Sequence, residues 1–289
     1  MPPRCACIDV GANTTRLLVA DVPPGQAPRT VHNEHVSLSL RPRADGNLGP
    51  AMGRALAGVV QRQLEAARDH GAVAVRIVAT GPLRAARDRD HVLEGLGAPV
   101  EVLTGEEEAR LAFAGATAGL RLDGAVGVVD AGGASTELAV GTCAGGAAWT
   151  ASVPVGSGVL LRAHVDADPP EPDELDALMR AARRAFQGLL PPRPQHVLAV
   201  GGAAGSLKAL CGEVLDEPAL DRALATLCSG TCSDVAARTG LRAERVALLP
   251  AALALLAAAF EVLGGPARLV EGGLREGVVS ELARALSGR

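Results

Sequence analysis

The chain has 289 residues, a formal net charge of −4, 48% hydrophobic and 21% charged residues. Such a length suits one large domain or two ordinary ones, and so much apolar material excludes a wholly disordered chain. The aromatic residues are 3 Phe, 1 Trp and 0 Tyr. With the negative charge, that excludes a stacking single-strand nucleic-acid module and gives no general nucleic-acid-binding surface.

In chain order, residues 5–9 and 16–21 read as two strands joined by the tight turn Gly11-Ala12-Asn13-Thr14. Residues 53–70 carry Leu56, Val59, Val60, Leu64 and Ala67 at helical spacing. Residues 73–80 predict a strand. Residues 82–90 predict a helix with Pro82 at an acceptable early position. A short strand over 100–103 precedes a helix over 106–118, opened by three acids that suit the positive end of a helix dipole. Strands follow at 126–130 and 137–140, a helix at 172–189, and a rigid Pro191-Pro192-Arg193-Pro194 link. The strand 196–200 delivers Gly201-Gly202-Ala203-Ala204-Gly205-Ser206, which opens a helix through 210. Short helices at 222–228 and 232–239, an apolar helix at 246–263, a strand at 267–270 and a helix at 274–286 complete the chain. Strands and helices alternate, so the class is α/β.

The most apolar run, 246–262, contains Pro250 and Glu261 and is short for a membrane span; it reads as a buried helix. Met1-Pro2-Pro3-Arg4 leads directly into residues 5–10, without the pattern of a signal peptide. The six cysteines lack zinc-site spacing and read as buried small hydrophobes. Of the 28 basic residues only Lys208 is a lysine, a skew that reads as genomic bias. These features point to a cytoplasmic protein.

The opening pattern returns once. Ile8-Asp9-Val10-Gly11-Ala12-Asn13-Thr14-Thr15-Arg16-Leu17-Leu18-Val19 aligns with Val129-Asp130-Ala131-Gly132-Gly133-Ala134-Ser135-Thr136-Glu137-Leu138-Ala139-Val140, 121 positions further on. A single repeat at that distance implies two similar domains rather than a solenoid.

Three glycine-rich stretches therefore follow strands: 11–15, 132–136 and 201–206. Glycine lets backbone N–H groups approach an anion closely, and Asn13, Thr14 and Ser135 add donors, so a phosphate site is expected. Asp9 and Asp130 stand at matching strand ends, with Glu137 leading the strand after the second turn. Carboxylates beside a phosphate turn become favourable when Mg²⁺ lies between them. Arg16 occupies the position where the repeat carries Glu137. Arg84, Arg87, Arg110 and Arg275 are further candidates for forked contacts to phosphate. Glu106, Glu107 and Glu108 read, by themselves, as a solvated helix start. Neither a P-loop nor a dinucleotide-binding glycine motif is present.

Taken together, these stretches resemble the exopolyphosphatase/guanosine pentaphosphate phosphatase family. The resemblance is carried by residues 8–18, Ala79-Thr80-Gly81-Pro82-Leu83-Arg84-Ala85-Ala86, Gly105-Glu106-Glu107-Glu108-Ala109-Arg110-Leu111, residues 129–138, Gly201-Gly202-Ala203 and Gly273-Leu274-Arg275-Glu276-Gly277. It implies a duplicated actin-like fold, related to ribonuclease H, sugar kinases and heat-shock ATPases, with an interdomain cleft. Domain I is expected over residues 1–120 and domain II over 121–289, the C-terminal helix being free to pack back on domain I. It further implies Mg²⁺-dependent hydrolysis of the terminal phosphoanhydride of inorganic polyphosphate, with guanosine pentaphosphate as the alternative substrate.

By the same resemblance Glu108 is the general base, and Asp130 and Glu137, with Asp9, hold metal. Arg16 joins Glu108 and Glu137 in catalysis. The phosphate binders are Gly11, Asn13, Thr14, Arg84, Gly132, Gly133, Ser135, Gly201, Gly202 and Arg275. Ala12, Ala134 and Ala203 depart from the family pattern, which motivates a rival reading as a phosphate or nucleotide sensor. A kinase of the same fold is another rival. No nucleic-acid or membrane partner is expected, and a homodimer is allowed.

Overall fold

Residues 1–288 are described by the structure, a computed structural model. The chain divides into two units, one of Met1–Arg121 joined by the segment from Gly272 onward, the other of Leu122–Glu271.

The first unit opens with β1 (Arg4–Val10), β2 (Thr14–Asp21) and β3 (Arg29–Ser37). It continues with α1 (Pro50–Asp69), β4 (Ala74–Ala79), α2 (Gly81–Ala85), α3 (Arg89–Glu94), β5 (Val100–Val102) and α4 (Gly105–Ala116). The second unit contains β6 (Val126–Ala131), β7 (Thr136–Thr142), β8 (Gly146–Val153), α5 (Ser157–His164), α6 (Pro172–Ala185), β9 (His196–Val200) and α7 (Gly201–Cys211). It ends with β10 (Val214–Leu215), α8 (Glu217–Leu227), α9 (Cys232–Thr239), α10 (Ala243–Leu263) and β11 (Ala267–Leu269). The last helix, α11 (Leu274–Ser287), returns to the first unit.

β1 is apolar on both faces because both are covered. Ala6, Ile8 and Val10 pack with Leu56, Val60 and Leu64 of α1 on one side. Cys5 and Cys7 pack with Leu111 of α4 and Val278, Val279 and Ala283 of α11 on the other. The period of two along a strand separates these sets, and all six cysteines are free thiols.

The first sheet runs β3-β2-β1-β4-β5 and the second β10-β11-β9-β6-β7-β8. In each, an antiparallel meander of three strands (β1–β3, β6–β8) is extended by parallel strands, β4 and β5 in the first and β9 and β11 in the second. β10 is an antiparallel addition to the second sheet. The duplication seen in the sequence is thus a duplication of topology, and the chain has the duplicated actin-like α/β fold.

Several local expectations are corrected. The helix expected over 82–90 is broken at Ala86, whose backbone is extended, giving α2 and α3. Asp88, in the break, accepts from the amides of Leu48 and Gly49 at 2.8 Å each and ties down the approach to α1. α6 stops at Ala185, short of residue 189. α8 starts five residues earlier than expected, because Asp216 caps it by accepting from Ala219 N at 2.9 Å. β3, β8 and α5 have no counterpart in the sequence reading.

α10 is long and apolar enough to cross a membrane. In this fold it is the central helix of the second unit, and residues 249–260 are all buried. α11 packs against α4 through glycine. A Cβ on Gly115 would lie 1.9 Å from the Gly273 carbonyl oxygen, and one on Gly277 2.0 Å from that of Leu111. Glu281 of α11 adds an ion pair to Arg76 at 3.0 Å and one to Arg110.

Candidate active site

In the first unit, the candidate residues gather at the carboxyl ends of β1, β4 and β5. The turn after β1 is closed by Gly11 N donating to Thr14 O at 3.1 Å. Its backbone is held from behind by the segment after β3: Leu38 N bonds Asn13 O at 3.1 Å and Leu40 N bonds Ala12 O at 2.8 Å. Asp9 and Arg16 are direct partners across β1 and β2 and so share one face of the sheet. Arg16 Nε donates to Thr14 Oγ1 at 3.1 Å. One carboxylate oxygen of Asp9, Oδ1, is buried without a hydrogen-bond partner. Burial raises the Asp9 carboxyl above its ordinary value, and Glu276 adds to this; Arg16 and Arg275 oppose it. Arg275 at the start of α11 donates to Asn33 Oδ1 of β3 at 2.8 Å.

α2 starts beside this turn, since Thr80 N bonds Val10 O at 3.2 Å. It carries Arg84, whose Nη1 donates to Leu103 O at 2.6 Å and forms an ion pair with Glu108. Glu108 is buried in the first turn of α4, so a solvated helix start does not describe it. Its neighbour Glu107 completes a capping box: Thr104 Oγ1 accepts from Glu107 N at 3.2 Å, and Glu107 Oε2 accepts from Thr104 N at 2.7 Å. The three acids thus divide their work, Glu107 fixing the helix start and Glu108 turning inward.

The second unit repeats the first turn in its hydrogen bonding. Gly132 N donates to Ser135 O at 3.0 Å, the counterpart of Gly11 and Thr14. Asp130 and Glu137 are direct cross-strand partners, so the position held by an arginine in the first unit brings a second carboxylate to the same sheet face. Glu137 is buried and accepts from Ser152 Oγ of β8 at 2.9 Å. Asp130 is aligned with Val200 at the end of β9. A Cβ on the next residue, Gly201, would lie 2.2 Å from Asp130 Oδ1, and Gly201 has φ +86°. Both close approach and backbone sign therefore require glycine there. Gly201 and Gly202 form the first turn of α7, whose N-terminal amides and dipole favour an anion. The third glycine stretch is helix rather than turn, and Ser206 Oγ is spent on Gly202 O at 3.0 Å.

The sequence reading missed the support beneath the second turn. Ser157 N and Gly158 N at the start of α5 bond Gly132 O and Gly133 O at 2.9 and 3.0 Å. A Cβ on Gly156 would meet Ala134 N at 2.5 Å. The run Gly156-Ser157-Gly158 was the available signal. The second unit also contains an apolar cavity of about 720 Å³ between α6, α8 and α10, lined by residues such as Leu178, Leu220, Leu253 and Phe260 and by none of the candidate site residues.

A metal was expected on Asp130, Glu137 and Asp9. Among the described residues no group of three or more His, Cys, Asp or Glu side chains is gathered as a ready cage. Mg²⁺ needs no such cage: it takes one or two carboxylates and completes its shell with water and substrate phosphate oxygens. The cross-strand Asp130–Glu137 pair fits that demand, and Asp9 offers a buried carboxylate oxygen with no partner.

Glycine turns thus follow carboxylate-bearing strands in both units, and the first unit adds the buried Glu108 paired with Arg84. The chain belongs to the Ppx/GppA phosphatase family, whose model matches residues 18–285. It is an enzyme of the phosphoanhydride-hydrolase class. Exopolyphosphatase 2 of Mycobacterium tuberculosis is 32% identical over 99% of this chain and 92% of its own length. The guanosine-5'-triphosphate,3'-diphosphate pyrophosphatase of Aeromonas hydrophila is 29% identical over 96% of this chain, which spans 59% of that longer protein. The crystal structure of the Ppx/GppA family member of Aquifex aeolicus superposes with a TM-score of 0.84 at 24% identity, covering 98% of both chains.

Proposed function

We propose that this chain is a divalent-cation-dependent exopolyphosphatase that removes the terminal phosphate of inorganic polyphosphate. The observation that carries the reading is the cross-strand pair Asp130–Glu137 beside the Gly132–Ser135 turn. Two carboxylates at a phosphate turn repel the substrate unless a cation stands between. The similarity to exopolyphosphatase 2 over nearly both full lengths favours polyphosphate as the substrate.

In this reading Glu108 takes a proton from water, and the water oxygen attacks the terminal phosphorus in line. The bridging P–O bond breaks, inorganic phosphate leaves, and the chain is one unit shorter. On the first unit Arg16, Arg84 and Arg275 bind phosphoryl oxygens beside the turn that Gly11 closes, where Asn13 and Thr14 add donors; on the second, the turn closed by Gly132, with Gly133 and Ser135, and the α7 start at Gly201 and Gly202 offer further donors. Asp130, Glu137 and Asp9 are the residues that would hold Mg²⁺. When bound, the cation offsets charge on the phosphoryl and leaving oxygens.

The test is phosphate release from long polyphosphate, short polyphosphate and guanosine pentaphosphate, side by side with Mg²⁺. Release from polyphosphate is expected, and Glu108→Gln should lower it by about 10²–10⁴-fold. Full activity in that variant would remove Glu108 from the role of base. The Aeromonas relative motivates a second reading, hydrolysis of guanosine pentaphosphate, and preferential turnover of that substrate would establish it. Tight binding without turnover would favour the sensor.

A further inference from the structure

Glu108 is buried, and its carboxylate is engaged by Arg84. The guanidinium nitrogen that contacts Glu108 also donates to the Leu103 carbonyl at 2.6 Å. That anchor is itself fixed, because Leu103 N bonds Ala79 O at 2.9 Å. Arg84 therefore ties the end of β4 to the start of α4 through the side chain expected to accept a proton. A guanidinium in contact with a carboxylate favours its charged form and lowers its basicity, against the effect of burial. Other charged groups of β4, α4 and α11 have partners of their own. Glu107 turns back on Thr104 N, Arg76 and Arg110 are held by Glu281, and Arg275 reaches Asn33. Glu106 is exposed, while Glu276 bears on Asp9.

A guanidinium that can choose between a carboxylate and a phosphoryl group carrying more negative charge favours the latter, whose oxygens match its fork. We propose that Arg84 is a substrate-released latch on Glu108. In the free protein it masks the carboxylate. A bound phosphoryl group draws the guanidinium away, and the unmasked carboxylate is then the stronger base. Arg84 acts on the reaction through Glu108, as a positioning residue, besides touching phosphate. The inference rests on the reading of Glu108 as the base.

The experiment compares pH profiles of phosphate release from polyphosphate with Mg²⁺. The profile of kcat/KM reports the free protein and that of kcat the complex. In the unmodified protein the acid limb of kcat/KM should lie below that of kcat by about 1 pH unit or more. In Arg84→Met the kcat/KM limb should move up to meet the kcat limb; in Arg84→Lys, which keeps the charge, it should move less. Coincident limbs in the unmodified protein, or an unmoved limb in Arg84→Met, would overturn the latch; the first comparison needs no variant that must fold. Glu108→Gln separates the two ideas. Retained turnover there defeats the base reading, whereas lost turnover with an unmoved Arg84→Met limb defeats the latch alone.

Discussion

Asp9 is held in a state that folding disfavours. Its carboxyl is raised above the ordinary value chiefly by burial, so folding disfavours its charged form. The stability this represents is complete below the unfolded value and is lost as pH rises through the folded one. At pH 7 without divalent cation the ionised Asp9 is therefore a cost. Asp9→Asn should raise the melting temperature by about 2 °C under those conditions, with the gain fading as the pH approaches the ordinary carboxylate range. Added Mg²⁺ should stabilise the unmodified protein more than the variant. Thermal melts with and without the cation measure both effects. An Asp9→Asn variant no more stable at neutral pH would show that the Asp9 charge is already compensated. Gly201 makes a second residue-scale prediction. A methyl group there would collide with Asp130 Oδ1 and force a non-glycine residue to φ +86°. Gly201→Ala should raise the Mg²⁺ concentration needed for phosphate release by about 10–100-fold, as displacing a ligand from outside its own shell does. An unchanged Mg²⁺ titration would count against Asp130 as a ligand.

Among the elements, the α4–α11 contact matters most. Backbone meets backbone at Gly115, Gly273 and Gly277, and α4 carries Glu108 in its first turn. Gly277→Ala places a Cβ 2.0 Å from the Leu111 carbonyl oxygen, and the helices must separate. The expected cost is about 2–3 kcal/mol, read as a lower urea midpoint, and phosphate release should fall with it. A variant of unchanged midpoint would mean that the contact opens without penalty. The glutamates of α4 show why an element must be placed before its residues can be read. By composition they are a polar helix start; in the fold one caps, one faces solvent and one is buried beside Arg84.

For the whole molecule, two units of the same topology present different chemistry at matching strand ends: carboxylate and arginine in the first, two carboxylates in the second. On the proposed reading the cation serves the carboxylates at these strand ends and is not required for folding. Chelation of divalent cations should stop phosphate release, Mg²⁺ should restore it, and the far-ultraviolet circular dichroism should stay the same throughout. A loss of helical signal on chelation would make the cation structural, and unchanged release would remove it from the reaction.

By itself the sequence determined the local machinery. The strand–turn–strand pattern ending in Asp9 and Asp130 is encoded by neighbours in the chain, and its repetition across 121 positions announced two related halves. α1, by its apolar periodicity, and α10, by its long apolar run, were legible for the same reason. Tertiary structure decided the rest. β3 is a polar edge strand whose existence depends on pairing with β2, and α5 is short and anchored through the carbonyls of the Gly132 turn. The break between α2 and α3 follows from Asp88 bonding a loop forty residues away. α11, last in the chain, belongs to the first unit because glycines on both helices allow it to meet α4. The Arg84–Glu108 pair joins residues 24 positions apart. Each of these depends on energies between distant segments, which local pattern does not record.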